Sequence, residues 1–198
     1  MSLHTLNIHL DFPYRVAFTH GVFRPENDAL AGLMEQREGS RVLVLVEEGL
    51  ERFYPSLPAD IDRYFTERAG TADYAGRRTV PGGEAAKTTF AAWEAALRHI
   101  VEAGIDRHSH IVAVGGGVVG DTAGFAAACY MRGVKWINVP TTLLAMVDSG
   151  IGGKTGVDVR GYKNVAGAFH MPERVVVCRE WLDTLPGREW LCGCGEMI

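Results

Sequence analysis

At 198 residues, with 47% hydrophobic and 22% charged side chains, the chain can bury one large core and is not of disordered composition. Its net charge of −4, its scattered basic residues and its lack of interleaved aromatic and basic positions argue against nucleic acid or an anionic membrane as a partner. No apolar run reaches the ~18 residues of a membrane span. No signal peptide is evident, and Cys129, Cys178, Cys192 and Cys194 fit neither a disulfide framework nor a zinc module, so free thiols on or beside helices and a cytoplasmic location are expected.

In chain order, residues 5–10 and 14–18 alternate apolar and polar side chains and are expected as a pair of strands. Residues 41–46 form a short continuous apolar run, the mark of a strand buried on both faces. Residues 56–60, with Pro55 and Pro58 close by, read as a loop within the domain. Residues 84–104 read as a helix with Phe90, Trp93, Leu97, Ile100 and Val101 on one face and Gly104 just past its end. A strand at 110–114, a helix at 118–130 and a strand at 135–139 stopped by Pro140 follow. Residues 141–147 then read as helix, 174–178 as strand, and 180–184 and 186 onward as two short helical stretches. This alternation implies an α/β fold, a Rossmann-like, mainly parallel sheet flanked by helices. Ligands of such sheets collect at the carboxyl ends of the strands.

The chemistry-bearing residues fall at those ends. Gly115, Gly117 and Gly120 satisfy GxGxxG between a strand and a helix. With Gly116, Val118, Val119 and Asp121 they suit a backbone cradle for a pyrophosphate at a helix N-terminus; a tight turn whose glycines serve packing alone is the other reading. No acid lies about 20 positions on, where a ribose ligand is usual. Glu47, directly after the 42–46 strand, could fill that role and would favour NAD over NADP. Gly82, Gly83, Glu84 and Lys87 open the long helix, where dipole stabilisation and a Glu84–Lys87 ion pair stand beside a cofactor role. Thr141 and Thr142 could cap a helix or offer hydroxyls to a cofactor. The run from Asp148 to Gly156 ends like a P-loop, but Asp148 stands where the first glycine should, so triphosphate hydrolysis is excluded. What remains is a flexible loop presenting Lys154 beside Asp148, with Lys163 and Asn164 near, either solvated or binding a phosphorylated or carboxylated substrate. Glu196 by itself reads as a helix-surface glutamate.

Together the runs GGGVVGDTAGFAAACYMRG, VPTTLLAMVDSGIGGKTGVD, KNVAGAFHMP and GEMI resemble those of the 3-dehydroquinate synthases, in the same order, closely over about the last half of the chain. The resemblance implies an NAD-binding α/β domain followed by a helical metal-binding domain, in an enzyme of the shikimate route to chorismate and the aromatic amino acids. It implies oxidation of 3-deoxy-D-arabino-heptulosonate 7-phosphate at C5 by NAD, phosphate elimination, reduction that regenerates NAD, and ring closure to 3-dehydroquinate, with a zinc or cobalt ion as Lewis acid. By resemblance, Lys154, Asn164 and Arg132 surround the substrate and its phosphate, and Asp148 contacts it. Arg132 reaches the neighbouring subunit's site, which implies a homodimer. NAD contacts are implied for Gly82, Gly83, Glu84, Lys87, Gly115 to Asp121, Thr141, Thr142, Asp148, Lys154, Lys163, Trp181, Leu182, Asp183 and Thr184. Glu47 stands where Asp is more usual, and Glu196 is the implied metal ligand. Gly161-Tyr162 replaces a Leu-Gly, and Gly150 replaces a serine. The family continues past Ile198 with a lysine and two histidine ligands that His4, His9, His20, His99, His108, His110 and His170 do not match. The expectation is therefore an NAD-binding N-terminal domain over 1–198, with about 180–198 opening the helical domain and its remainder absent. Such a piece binds zinc poorly and does not turn over. Another sugar-phosphate cyclase (inosose or valiolone synthase type), a metal-dependent glycerol or alcohol dehydrogenase, and a non-catalytic NAD-binding module are the alternatives.

Overall fold

Runs of Val, Ile and Leu build the centre of the molecule, as befits a parallel sheet covered on both faces. The computed structural model describes residues 3–31, 38–68 and 72–198. Its strands are β1 (Arg15–Thr19), β2 (Arg41–Glu47), β3 (Asp73–Val80), β4 (His110–Gly115), β5 (Lys135–Pro140), β6 (Lys154–Val159), β7 (Tyr162–Phe169) and β8 (Arg174–Cys178). Six of them form one sheet in the order β1-β8-β5-β4-β2-β3, with every pairing parallel. β6 and β7 form a separate antiparallel hairpin. The helices are α1 (Asp28–Ala31), α2 (Leu50–Phe53), α3 (Leu57–Glu67), α4 (Glu84–Lys87), α5 (Ala91–Glu102), α6 (Gly117–Cys129) and α7 (Gly187–Gly195), with 3-10 turns at Tyr130–Arg132 and Arg179–Thr184. The α/β architecture with a Rossmann-like parallel sheet is as the sequence implies.

Alternate strand residues serve opposite layers. Val42, Val44, Val46, Val112 and Val114 pack with Leu57, Ile61, Tyr64 and Phe65 of α3. Leu43, Leu45, Ile111 and Ala113 pack with Ala96 and Ile100 of α5 and with Val119, Ala123 and Ala127 of α6. α6 is buried on nearly every side, and small residues make this possible: a Cβ on Gly124 would come within 3.0 Å of the Trp136 ring.

Several expectations are corrected. Residues 5–10 form no strand; Leu6, Ile8 and Leu10 are exposed, and β1 pairs instead with β8. Residues 57–60 open α3, because a proline in the first turn forfeits only an N–H that has no helical partner there. The long helix divides into α4 and α5. At the break the Thr88 hydroxyl donates to the Ala85 carbonyl (2.8 Å) and the Thr89 hydroxyl accepts from the Ala91 amide (3.3 Å), side-chain bonds that compete with the helical ladder. Phe90 and Val101 are exposed, and the buried stripe runs through Ala92, Ala96 and Ile100. Gly104 does end α5, with φ +62 and the paired bonds Gly104 N–H to Val101 O and Ile105 N–H to Ile100 O. Pro140 is the last residue of β5, opposite Gly115. The helix expected at 141–147 starts at 143 and continues as a π-turn, Ala145–Ser149. Cys178 lies on β8, and all four cysteines are free.

The flexible loop expected over 148–156 is corrected from Lys154 on, where β6 begins and pairs with β7. The hairpin's two-residue turn, Arg160-Gly161, has φ of 50° and 84°, both positive as a type I′ turn demands. Further along, Val157 pairs with Ala166 and Val159 with Tyr162, so Asp158 alone faces residues 163–165 in a bulge.

At the opposite end of the sheet, the fully buried His110 places Nε2 2.9 Å from a Glu173 carboxylate oxygen, and Lys135 Nζ lies 3.5 Å from the other. Burial pushes the Glu173 carboxyl up, but His110 and Lys135 outweigh it and hold the group below the ordinary glutamate value of 4.5. A depressed folded value adds stability above that pH and loses it as pH falls through and below it. Glu173→Gln is therefore expected to cost about 1–3 kcal/mol near neutrality and progressively less in acid. Urea midpoints at the two pH values check this; a cost independent of pH would contradict it.

Candidate functional site

The sheet order places a switch point between β2 and β4: the chain leaves β2 toward β3 at one edge and returns to its other side. Loops diverge there and leave a crevice at the carboxyl ends. Glu47 ends β2, and Gly115 ends β4. The Glu47 carboxylate accepts the Gly116 N–H at 2.6 Å. It fits only because of two glycines: a Cβ on Gly82 would overlap it, and one on Gly115 would come to 2.8 Å. Burial pushes the Glu47 carboxyl above its usual range, against the Gly116 hydrogen bond, with the Glu189 charge adding to the rise.

A first cleft of about 470 Å³ opens over this point. Gly116, Gly117 and Val118 line it at the N-terminus of α6, where the positive end of the helix dipole lies. Gly83, Glu84, Lys87 and Asp121 form one side; Thr141, Thr142, Trp181 and Thr184 form another. The Glu84–Lys87 ion pair does not form. Lys87 is buried and bonds Asp121 at 2.5 Å, while Glu84 reaches Lys163 of the hairpin at 2.6 Å. Burial raises the Asp121 carboxyl most, and Lys87 works against it. The Glu84 carboxylate, first of all, holds the exposed Lys163 more firmly protonated. Thr141 is buried and donates its N–H to Gly115 O (2.9 Å); Thr142 Oγ1 accepts the Ala145 N–H (3.3 Å), which is the capping role.

A second cleft of about 520 Å³ adjoins the first. Asp148, Lys154 and Asn164 line it, and Asp121 and Ser149 line both clefts. Asp148 and Lys154, expected at both cofactor and substrate, line only the second cleft, and Lys163 lines neither.

Other expected residues lie elsewhere. Val119 turns into the core, and Gly120 is buried near Asn138. Gly82 and Gly115 support Glu47 and line neither cleft, and Leu182 and Asp183 line neither. Arg132 is exposed beyond the far end of α6, whose 13 residues span about 20 Å. Met131 (φ 50) and Arg132 (φ 67) both hold left-handed backbone there. Glu196, exposed at the end of α7, lines neither cleft. Among the described residues no group of three or more His, Cys, Asp or Glu could hold a metal ion. Glu196 alone does not fit a zinc or cobalt centre, which needs about three protein ligands.

Sequence reasoning missed Tyr54 and Ser149. Tyr54 donates to Trp181 O (2.9 Å), accepts from the Thr184 hydroxyl (2.8 Å) and packs edge-on against Trp181 at 4.8 Å. Nothing in its sequence neighbourhood marks it. Ser149 was signalled only by its neighbour Asp148; its Oγ is buried without a hydrogen-bond partner among the described residues.

A glycine-lined turn on a helix N-terminus, with an acid at the end of the adjacent strand, fits a dinucleotide. A family model described as 3-dehydroquinate synthase N-terminal matches residues 77–192. A 3-dehydroquinate synthase from Symbiobacterium thermophilum is 45% identical over 177 residues, taking in 85% of this chain and 48% of that protein. The fold overlays 2-epi-5-epi-valiolone synthase from Streptomyces hygroscopicus subsp. jinggangensis, solved with NAD+ and Zn2+ bound, with a TM-score of 0.85 at 26% identity over 98% of this chain and 51% of that one. It also overlays a 2-deoxy-scyllo-inosose synthase complexed with carbaglucose-6-phosphate, NAD+ and Co2+, with a TM-score of 0.76 at 27% identity over 93% of this chain and 47% of that one. The chain spans about half the length of these relatives. No helix among the described residues is long and apolar enough to cross a membrane.

Proposed function

The chain belongs to the 3-dehydroquinate synthase family, and on that premise we propose that it forms the cofactor-binding wall of an enzyme converting 3-deoxy-D-arabino-heptulosonate 7-phosphate to 3-dehydroquinate and phosphate. The observation that carries the proposal is the pair of adjoining clefts sharing Asp121 and Ser149, which sets one ligand directly against another.

NAD bound in the first cleft would supply the hydride acceptor. The α6 N-terminus and the Gly116–Gly117 turn would hold its pyrophosphate, and Glu47 would accept from its ribose hydroxyls. Lys87, Asp121, Thr141 and Thr142 fix the rest. In the second cleft Lys154 and Asn164 hold the substrate's anionic groups, and Asp148 orients its hydroxyls. The chain's part is positioning and charge stabilisation. Glu196 offers one ligand toward a zinc or cobalt ion and needs further donors. Arg132 lines neither of its own clefts, which suits a homodimer in which it serves the partner's site. Residues 1–198 act as the NAD-binding unit of a cytoplasmic enzyme of the shikimate route to chorismate, with α7 leading toward a metal-binding part.

Calorimetric titration of the 198-residue chain is expected to give saturable NAD binding; none at millimolar NAD would remove the cofactor assignment. Glu47→Ala is expected to weaken NAD about tenfold (1–3 kcal/mol for a lost acceptor) and to narrow its advantage over NADP. For the whole gene product, dehydroquinate formation without net NADH is expected. Turnover of a different sugar phosphate would assign it to another cyclase, and net NADH accumulation to a dehydrogenase.

A further inference from the structure

The bulge in β7 lines the second cleft and bonds a residue that lines the first. Successive strand residues normally face opposite sides of a hairpin, yet here Lys163 reaches Glu84 on the rim of the first cleft and its neighbour Asn164 lines the second. Both are exposed, so packing does not hold them. Asn164 sits at φ 55, in the left-handed region that asparagine enters more readily than other non-glycine residues. It is held by Asp158, 4% exposed and facing the bulge alone, whose Oδ1 accepts the Asn164 N–H at 2.8 Å. The Asp158 charge also adds to that of Glu84 in favouring protonated Lys163.

We propose that Asp158 is a positioning residue: its buried carboxylate clamps the bulge and so sets Lys163 and Asn164 toward the two clefts at once. This rests on the assignment of NAD and a sugar phosphate to those clefts.

In the intact protein, Asp158→Ala is expected to lower kcat/KM for the sugar phosphate by about tenfold to a hundredfold, the scale of a displaced binding group. The loss falls mainly in KM, with weaker NAD binding and faster hydrogen exchange at the Asn164 amide. Asp158→Asn keeps the acceptor and is expected to recover kinetics and exchange to near wild type. Asp158→Glu keeps the charge but moves the acceptor, and is expected to stay impaired; it serves as the test if alanine prevents folding. Faster exchange with unchanged kinetics, an Asn variant as impaired as Ala, or a Glu variant with wild-type kinetics would overturn the positioning role. Asn164→Ala separates the two claims. If it leaves KM unchanged, the cleft assignment fails; if it raises KM while Asp158→Ala does not, the clamp fails.

Discussion

Replacing Lys87 by methionine is expected to cost about 3–5 kcal/mol of folding stability, the usual effect of removing one partner from a buried ion pair. The Lys87 and Asp121 side chains are 9% and 15% exposed, and their heads lie 2.5 Å apart. Without the ammonium, Asp121 must either stay ionised in a desolvated place or take up a proton. Burial already pushes that carboxyl above its ordinary 3.8, and Lys87 is what opposes the rise. In the variant the folded value climbs further. A raised folded value favours the protonated form, so its contribution is complete below 3.8 and fades as pH rises through the folded value. The stability loss is thus expected to be small in acid and to grow toward neutrality. Urea denaturation at both pH values measures it. The double variant Lys87→Met/Asp121→Asn should recover most of the loss, because no charge is left uncompensated. A deficit that ignores pH, or a double variant no better than the single, would show that the pair is not the source. Both residues line the first cleft, so NAD affinity is expected to fall in the single variant as well.

Gly150→Ser, which restores the residue the family resemblance leads one to expect, should harm this protein. Gly150 closes the π-turn by donating its N–H to Ala145 O at 2.9 Å. A Cβ at that position would overlap the same carbonyl oxygen and come to 3.0 Å from the buried Asn138 amide. The nearest obstacle is backbone, so no rotamer change relieves it. The turn must open, and Asp148 and Ser149, both carried by it, must move. Overpacking of this kind costs about 1–3 kcal/mol, or roughly 5 °C in Tm for a chain of this size. Differential scanning calorimetry checks the first effect and the KM for the sugar phosphate the second. An unchanged Tm would mean that the π-turn tolerates a side chain.

The legible parts of the fold were those whose chemistry is local. β2, β4, β5 and β8 announce themselves because strands buried on both faces need continuous apolar runs. The placement of Glu47 and Gly116 together followed from the rule that ligands meet strand ends. β3 was invisible: Asp73–Val80 is an edge strand with two arginines and a glycine, and its pairing with β2 supplies what its composition does not. α3 was hidden by Pro58 in its first turn and Pro55 just ahead of it. The hairpin was hidden because Arg-Gly replaces the Asn-Gly that usually marks a type I′ turn. Lys87 shows the limit most plainly. Its sequence neighbour Glu84 lies at ion-pair spacing, but each finds a partner in a different element, 34 and 79 residues away. Spacing along a helix does not register competitors that tertiary structure brings in.

The edge position of β1 has a consequence for biosynthesis. Its one sheet neighbour among the described residues is β8, with Arg15 opposite Arg174 and Thr19 opposite Cys178. β1 therefore leaves the ribosome well before β8 and waits for it until every other strand of the sheet has been made. At about 5–20 residues per second that interval is of the order of ten to thirty seconds. During it the backbone N–H and C=O groups of β1 have no strand to pair with. A nascent chain stalled before β8 should accordingly be protease-sensitive at β1 while the sheet from β2 to β5 is already protected, and that order of protection is open to pulse proteolysis on ribosome-bound chains.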